Sequence, residues 1–539
     1  MNQVFLVYNH NYYWHTSGDL SFKGYFFDRD SNHFHESGAL EDLANINDRK
    51  AMQKKLESID GPFSIIKQTP EGILICSGVM STFPVFYTWE DGRWLVSDSS
   101  DHLLNMKAEK ACNTEAFDEF LGGGFVLGNE TLLKDIFKIK AGEILLLKPD
   151  GTCESEIYHY WLPEAFWGDS LTELKVKLVY QLKNVIKRLI ISLKDRPVVV
   201  PLSGGYDSRL IVCLLKLAGY KNVTCLTYGR PNAESDLSRR VADKLGYQWI
   251  FVDYRQIDTK NYLNDPVFQN YYQYAGNNYT MPYLQEYFAV KYLKENKLVP
   301  DNTVFIPGHG GDFLAGGHVK KAAKTKRELK KLPKHIAKKY YLFLPMGTDA
   351  TKHVTKRLKK WFSEYTPVKC ETDAFFSVYV EDWDVKEKRS KFIFQSAQVF
   401  PYFEYAFRLP LWHKDLRNLF RQVPFELRMN QILYYQLLED EFFKPLDVYF
   451  GEEELKETKK TGLAGTLRKF LKPLAPGMVL AQKLKKADWV CYDKFTTQMD
   501  QQLKKEGTMP LKNVYSYNAR ICHWYLHQVR KKTECKKPA

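Results

Sequence analysis

The spacing of apolar residues changes near residue 161. Before that point the apolar runs are short: FSIIKQ, GILICSG, PVFYTW and EILLLKP, rich in β-branched and aromatic side chains. Turn signals (PEG, EDG, PDG) separate them. A polar-faced stretch, DRKAMQKKLESI, predicts one helix among these strands, and Gly122, Gly123 and Gly124 form a glycine cluster. This region reads as antiparallel sheet with a few helices. After it, SLTELKVKLVYQLKNVIKRLIISL has apolar positions at helical spacing. RPVVVPL follows, a short and wholly apolar run of the kind that forms a strand covered on both faces. The order continues as helix (DSRLIVCLLKLAGY), strand (VTCLTYG), helix (ESDLSRRVADKLGY) and strand (WIFVDY), with a later strand at TVFIPG. Strand and helix alternating at this spacing predict βαβ units and a parallel sheet.

The chain has 539 residues, so a prior of roughly 100–200 residues per domain predicts more than one unit. The pattern divides it into a β-rich unit over 1–165, a βαβ unit over 166–450, and a basic helical extension over 451–539. A basic insertion at 320–360, expected to be helical, sits within the second unit. The formal net charge of +14 favours anionic partners without naming one. In the basic insertion Lys320, Lys321, Lys324, Lys326, Arg327, Lys330, Lys331, Lys334, Lys338, Lys339, Lys352, Lys356, Arg357, Lys359 and Lys360 face only two acidic residues, Glu328 and Asp349. Two readings stay open: a solvated helical face, or a platform for an acidic sugar, a lipid-linked substrate or an anionic membrane. No nucleic-acid motif accompanies the charge, so no specific nucleic-acid binding is expected. The nine cysteines form no CxxC pair, which argues for a reduced, cytoplasmic protein without a zinc site. No signal peptide and no membrane-spanning run is expected.

The chemistry concentrates at residues 198–208, VVVPLSGGYDS. A buried strand ends in a glycine turn and a helix begins at once. Gly204 and Gly205 let the backbone approach a ligand, and the new helix adds free N–H groups and a positive dipole end. Ser203 and Ser208 can donate hydroxyls. Asp207 repels a phosphate unless it holds Mg²⁺, which takes oxygen ligands and bridges to phosphates. No GK[ST] follows, so this is not a Walker loop. The plain alternative is a helix cap in which Ser and Asp satisfy backbone donors.

A second loop, PGHGGDFLAGGH at residues 307–318, again follows a strand. It holds five glycines and one carboxylate, Asp312. Ligands of doubly wound sheets sit at the carboxyl ends of strands, so these two loops predict a bracket around Mg²⁺ and ATP. His309 is either an ordinary loop histidine or a proton acceptor whose usual pKa lies near neutrality.

Together the two motifs resemble the asparagine synthetase family of PP-loop ATP pyrophosphatases. LSGGYDS matches its pyrophosphate loop, GHGGDFLAGG resembles its second motif, and RLPLWHKDLRNLFRQVP resembles a later segment. DGPFSIIKQTPEGILICSGVMSTFPVFYTW resembles the core of the glutaminase-like domain that precedes the synthetase. The resemblance implies an α/β protein: an N-terminal Ntn-hydrolase-like α+β domain, then an adenine-nucleotide α-hydrolase-like doubly wound parallel-sheet domain with helical additions. It implies a ligase that adenylates a carboxylate and transfers an amine or ammonia to it. By motif, Ser203, Gly204, Gly205 and Ser208 would hold pyrophosphate, and Asp207 and Asp312 would hold Mg²⁺. Leu202, Tyr228 or Gly229, and Gly308 would line the adenosine side. The implied partners are ATP and a carboxylate substrate (aspartate or a sugar carboxylate), with a homodimer as the candidate assembly.

The chain departs from the family at named positions. Glutamine-using members carry a cysteine after the initiator Met. Here Asn2 stands there, and Cys76 falls in a predicted strand, so the front domain is expected not to hydrolyse glutamine. Asparagine synthetases carry Glu where this chain has His309 and Phe313. β-Lactam synthetases carry Tyr at the first of these, and GHGGD-type motifs also resemble lasso-peptide cyclases, so intramolecular amide closure is the rival chemistry. An inactive nucleotide-binding scaffold is the rival from another class. The family's catalytic lysine has no evident counterpart, and Arg428 and Lys444 are the nearest cations in sequence.

Overall fold

The computed structural model describes residues 3–28, 33–36, 39–46, 48–161, 166–168, 170–317, 331–343, 347–364, 375–451, 487–512 and 514–533. Asn2, His318 and the lysines at 320–330 lie outside them.

The front region stacks two sheets. The larger has six strands in the order Cys153–Ile157, Glu143–Leu147, Gly72–Ser77, Phe63–Thr69, Leu20–Gly24, His15–Ser17, all antiparallel. Side chains alternate across it with period two. Ile65, Leu74, Cys76, Ile144 and Leu146 meet Leu43, Met52 and Leu56 of the helices Ala39–Ala44 and Arg49–Ser58. Ile66, Ile73, Ile75, Leu145 and Leu147 point the other way, onto Val85, Tyr87, Trp94 and Val96 of the second sheet and its approach. Cys76 is therefore a core residue under a helix. The second sheet has four strands in the order Gln3–Phe5, Arg93–Ser97, Phe86–Glu90, Phe137–Lys138. Its far face turns Phe86 and Leu95 toward Leu103 and Leu104 of the helix Ser100–Met106, which completes a helix–sheet–sheet–helix stack.

The next region begins with the helix Leu171–Leu193. Ser170 accepts from the Glu173 N–H while the Glu173 carboxylate accepts from the Ser170 N–H, so both leading donors are satisfied. Its buried stripe, Leu174, Leu178, Leu182, Val185, Ile186, Leu189 and Leu193, faces the core. Then comes a five-stranded sheet in the order Gln248–Asp253, Val223–Gly229, Val198–Pro201, Val304–Phe305, Ala406–Phe407. Every neighbour pair is parallel. Val198, Val199 and Val200 are all buried, as a strand covered on both faces requires. The first strand in sequence sits in the middle. The chain winds outward on one side through the second and third, then returns to build the fourth and fifth on the other. The gap between the first and fourth strands is a topological switch point, where loops diverge and a crevice opens at the carboxyl ends.

One core spans both regions. Phe125 bridges to Thr280, the Tyr12 hydroxyl donates to the Phe407 carbonyl at 2.9 Å, and Asp60 accepts from Arg417 at 2.8 Å. The described part of the basic segment is helical, Leu332–Tyr340 and Thr348–Glu364. Its Arg357 is not a solvated charge: it donates twice to the fully buried Glu119, at 2.7 and 3.0 Å, and also pairs with Glu130. Lys352, Lys356, Lys359 and Lys360 remain exposed. The closing helices Tyr492–Lys505 and Asn518–Lys531 pack into the same core through Phe495, Met499, Trp524 and Tyr525. No described helix is long and apolar enough to cross a membrane.

Candidate active site

The strand Val198–Pro201 delivers the turn 202–205 to the rim of the crevice, where the helix Tyr206–Leu217 starts with Gly205 as its cap. Inside the turn, Ser208 Oγ accepts from the Ser203 N–H at 3.1 Å, and Ser203 Oγ accepts from the Gly205 N–H at 3.2 Å. The two hydroxyls lie 3.3 Å apart. The serines thus hold the loop's curvature as well as facing the cleft, and the helix's leading N–H groups have no intrahelical acceptor.

The fourth strand brings the second loop flat against the first. A Cβ on Gly308 would stand 2.9 Å from the Ser208 nitrogen, and one on Gly311 would stand 2.5 Å from Asp207 Cγ. Glycine is required at both points so that the Asp207 carboxylate can occupy the space between the loops. The Asp312 N–H donates to Asp207 Oδ2 at 2.8 Å, and the Tyr434 hydroxyl donates to Oδ1 at 3.0 Å. Asp312 points outward, its side chain 64% exposed, with Arg389 Nη1 3.6 Å from Oδ1. Burial, and next the like charge of Asp312, push the Asp207 carboxyl up to about 7.

These residues line one cleft of about 480 Å³, with Leu202, Ser203, Gly205, Ser208, Tyr228, Gly308, His309, Asp207 and Asp312 all on its wall. Two sequence-derived candidates do not face it. Gly204 packs on Glu234, and Gly229 is closed off by the Trp489 carbonyl, 2.5 Å from where its Cβ would be. On that side the wall is Tyr228 rather than Gly229.

His309 is held below the usual near-neutral imidazole range. Burial pushes its pKa down to about 4 against the pull of Asp312, and the nearby Arg389 adds to the fall. Its Nδ1 is buried without a hydrogen-bond partner, and Nε2 lies 3.4 Å from Ser396 Oγ. The ring is neutral at physiological pH.

Neither cation named from sequence reaches the cleft. Arg428 is buried in a two-pronged pair with Glu381, at 2.8 and 3.2 Å, and donates to the Leu314 carbonyl. Lys444 is exposed and paired with Asp440. Among the described residues Arg389 stands beside Asp312, with its guanidinium 4.1 Å above the Phe313 ring. It lies on the π-helical segment Val385–Ile393, and such segments mark functional sites often enough to be a signal, though only coordinates reveal them. Gln285, Glu286, Gln431, Tyr435 and Trp489 also line the cleft and carried no motif.

The donor set suits Mg²⁺. Asp207 and Asp312 supply hard oxygens only, and a divalent cation would offset both the burial and, second to it, the like charge of Asp312 that raise the Asp207 carboxyl. Among the described residues no cluster of three or more His, Cys, Asp or Glu is placed to hold a metal ion.

The asparagine synthase family model matches residues 182–509. The chain is 23% identical over 280 residues to the microcin J25-processing protein McjC of Escherichia coli, covering 52% of this chain and 51% of that protein. It is 24% identical over 277 residues to a putative glutamine-hydrolyzing asparagine synthetase of Methanocaldococcus jannaschii, covering 49% and 51%. The chain therefore spans about half the length of the curated relatives it matches. Among solved structures, an NH3-dependent NAD synthetase from Campylobacter jejuni, in complex with the nitrate ion, aligns at 15% identity and a TM-score of 0.18. That alignment covers 38% of this chain and 100% of that one.

Proposed function

The chain belongs to the asparagine synthase family, and from that premise we propose that it is an ATP-dependent amide ligase. It adenylates a carboxylate, releases pyrophosphate, and passes the acyl group to an amine or to ammonia. The observation that carries this reading is the 2.8 Å bond from the Asp312 N–H to the Asp207 carboxylate across two loops that open on one cleft. The bond is made by the Asp312 backbone and brings two acidic residues side by side next to a phosphate-type turn, an arrangement that suits a cation and an anionic ligand.

In this reading Ser203, Gly204, Gly205 and Ser208 hold the pyrophosphate portion, Gly204 through its backbone. Asp207 and Asp312 hold Mg²⁺, which when bound supplies positive charge against the departing pyrophosphate. Leu202, Tyr228 and Gly308 face the adenosine. Arg389 stabilises negative charge at the Asp312 side of the cleft. His309 meets the attacking amine as a neutral ring, and an anionic nucleotide beside it raises its basicity.

In this reading the amine is not drawn from glutamine by this chain, since Cys76 of the front region is buried under a helix. Among the described cysteines, burial raises the thiols of Cys76, Cys213, Cys225, Cys491 and Cys522 above their usual range, which disfavours the thiolate. The exposed Cys153 is raised as well.

The carboxylate is aspartate or a sugar acid in the first reading. A second, amide closure within one peptide-like molecule, is favoured by the similarity to a microcin-processing protein. The test is pyrophosphate release from Mg-ATP, offered aspartate, uronic acids, β-amino acids and peptides carrying both an amine and a side-chain carboxylate. Release with one class and a fall of about 100-fold or more in Asp207→Asn is expected. No release with any carboxylate, with ATP still bound, points to the inactive scaffold and overturns the ligase.

A further inference from the structure

The cleft extends away from the aspartates, along the ends of the first and second strands. There it is walled by Thr227, Tyr228, Gln285, Glu286 and Trp489. Glu286 caps the helix Tyr287–Glu295 and is 7% exposed. A chain of hydrogen bonds fixes its carboxylate. The Tyr283 hydroxyl donates to Gln285 Oε1 at 2.9 Å, Gln285 Nε2 donates to the Tyr228 hydroxyl at 3.0 Å, and that hydroxyl donates to Glu286 Oε1 at 2.7 Å. Every member of this relay has its partner until the last atom. Glu286 Oε2 is buried and has none. A buried carboxylate oxygen without a donor is unfavourable unless a ligand brings one.

An aromatic wall stands on the same cleft. Trp489 is 40% exposed although it lines the cleft, and its ring lies 25° from parallel with Tyr228, centroids 6.0 Å apart. The segment carrying it is tied to the end of the second strand. The Arg230 N–H donates to the Trp489 carbonyl at 2.6 Å, and Arg230 Nε donates to Cys491 Sγ at 3.1 Å. Gly229, at φ +111°, leaves room for that carbonyl. An exposed indole and an unpaired acceptor at one end of a nucleotide-sized cleft are what a flat ring bearing an exocyclic amine requires.

We propose that Glu286 and Trp489 form the base-reading end of the nucleotide site: Trp489 stacks on the purine, and Glu286 Oε2 accepts a hydrogen bond from the 6-amino group of adenine. This rests on the reading of the cleft as an ATP site. A purine with a carbonyl oxygen at that position sets acceptor against acceptor, so the subsite selects adenine over hypoxanthine and guanine. Burial pushes the Glu286 carboxyl up to about 7, so it is an acceptor in its ionised form at pH 8.

The test is calorimetric titration of the full chain with Mg-ATP and Mg-ITP at pH 8. ATP is expected to bind about tenfold or more tightly than ITP, since a site built around one hydrogen bond discriminates strongly against the analogue lacking it. Glu286→Gln, or Glu286→Met of similar volume should the first misfold, narrows that ratio to about threefold or less. Trp489→Ala weakens both nucleotides by a similar factor, because stacking is blind to the exocyclic group. Equal binding of ATP and ITP by the parent chain, or an unchanged ratio in both Glu286 variants, overturns the base-reading assignment and leaves the ligase reading standing. Failure to bind either nucleotide overturns both.

Discussion

Asp207 sits in surroundings that a lone carboxylate disfavours. Its pKa rises from 3.8 to about 7 on folding, through burial first and Asp312 second. A carboxyl raised in the folded state binds more protons there than in the unfolded chain. Its contribution is therefore neutral below pH 3.8, grows unfavourable as pH rises to about 7, and stays at full penalty above that. In the absence of Mg²⁺ and nucleotide, Asp207→Asn is expected to gain on the order of 1–3 kcal/mol over the parent at pH 8 and nothing at pH 3.5. Thermal unfolding at the two pH values measures it. An equal loss at both would mean the carboxylate is a structural anchor, not a strained ligand.

The helix and loop geometry around Asp207 depends on Gly308 and Gly311. Gly311 faces Asp207 Cγ with no room for a methyl group, whereas Gly168 has nothing within 4 Å of its would-be Cβ and no positive φ. Gly311→Ala is expected to cost about 1–3 kcal/mol and to abolish pyrophosphate release, because the carboxylate must leave its place. Gly168→Ala is expected to change neither. Comparing the two by denaturant unfolding and by the release assay separates a clash at the site from a general dislike of alanine. Release that survives in Gly311→Ala would show that Asp207 tolerates displacement. The same loops explain how the site could be read early. Strand, glycine turn, helix and a second glycine loop each have a local signature, and LSGGYDS and GHGGD carry them.

Across the molecule the two regions are locked rather than tethered. Arg357, on the basic helix, reaches the buried Glu119 of the helix Phe117–Gly123, whose side chain is fully inaccessible. Removing one partner strands the other charge. Arg357→Leu is expected to cost about 3–5 kcal/mol, and adding Glu119→Gln to recover a large part of it. Denaturant titration of the three variants measures both steps, and a cost below about 1 kcal/mol for Arg357→Leu would show that water reaches Glu119. This pairing separates two kinds of basic residue in a segment whose sequence presents them alike. Lys352, Lys356, Lys359 and Lys360 face solvent, while Arg357 fastens the segment to the front region.

What the sequence determined by itself is whatever is local: the capped helix Leu171–Leu193, the buried valine run, and both glycine loops with their aspartates. Apolar periodicity, capping and turn chemistry act over a few residues, so they can be read there. What only the tertiary structure decided is what arrives from a distance. Arg389 comes from a π-helical turn, and Glu286 acts through a relay of three side chains. Trp489 is brought by a segment whose Cys491 meets Arg230 across 261 positions of chain. Burial also takes His309 from near-neutral down to about 4. Desolvation and long-range charge depend on which surfaces meet, and no stretch of the chain records that alone.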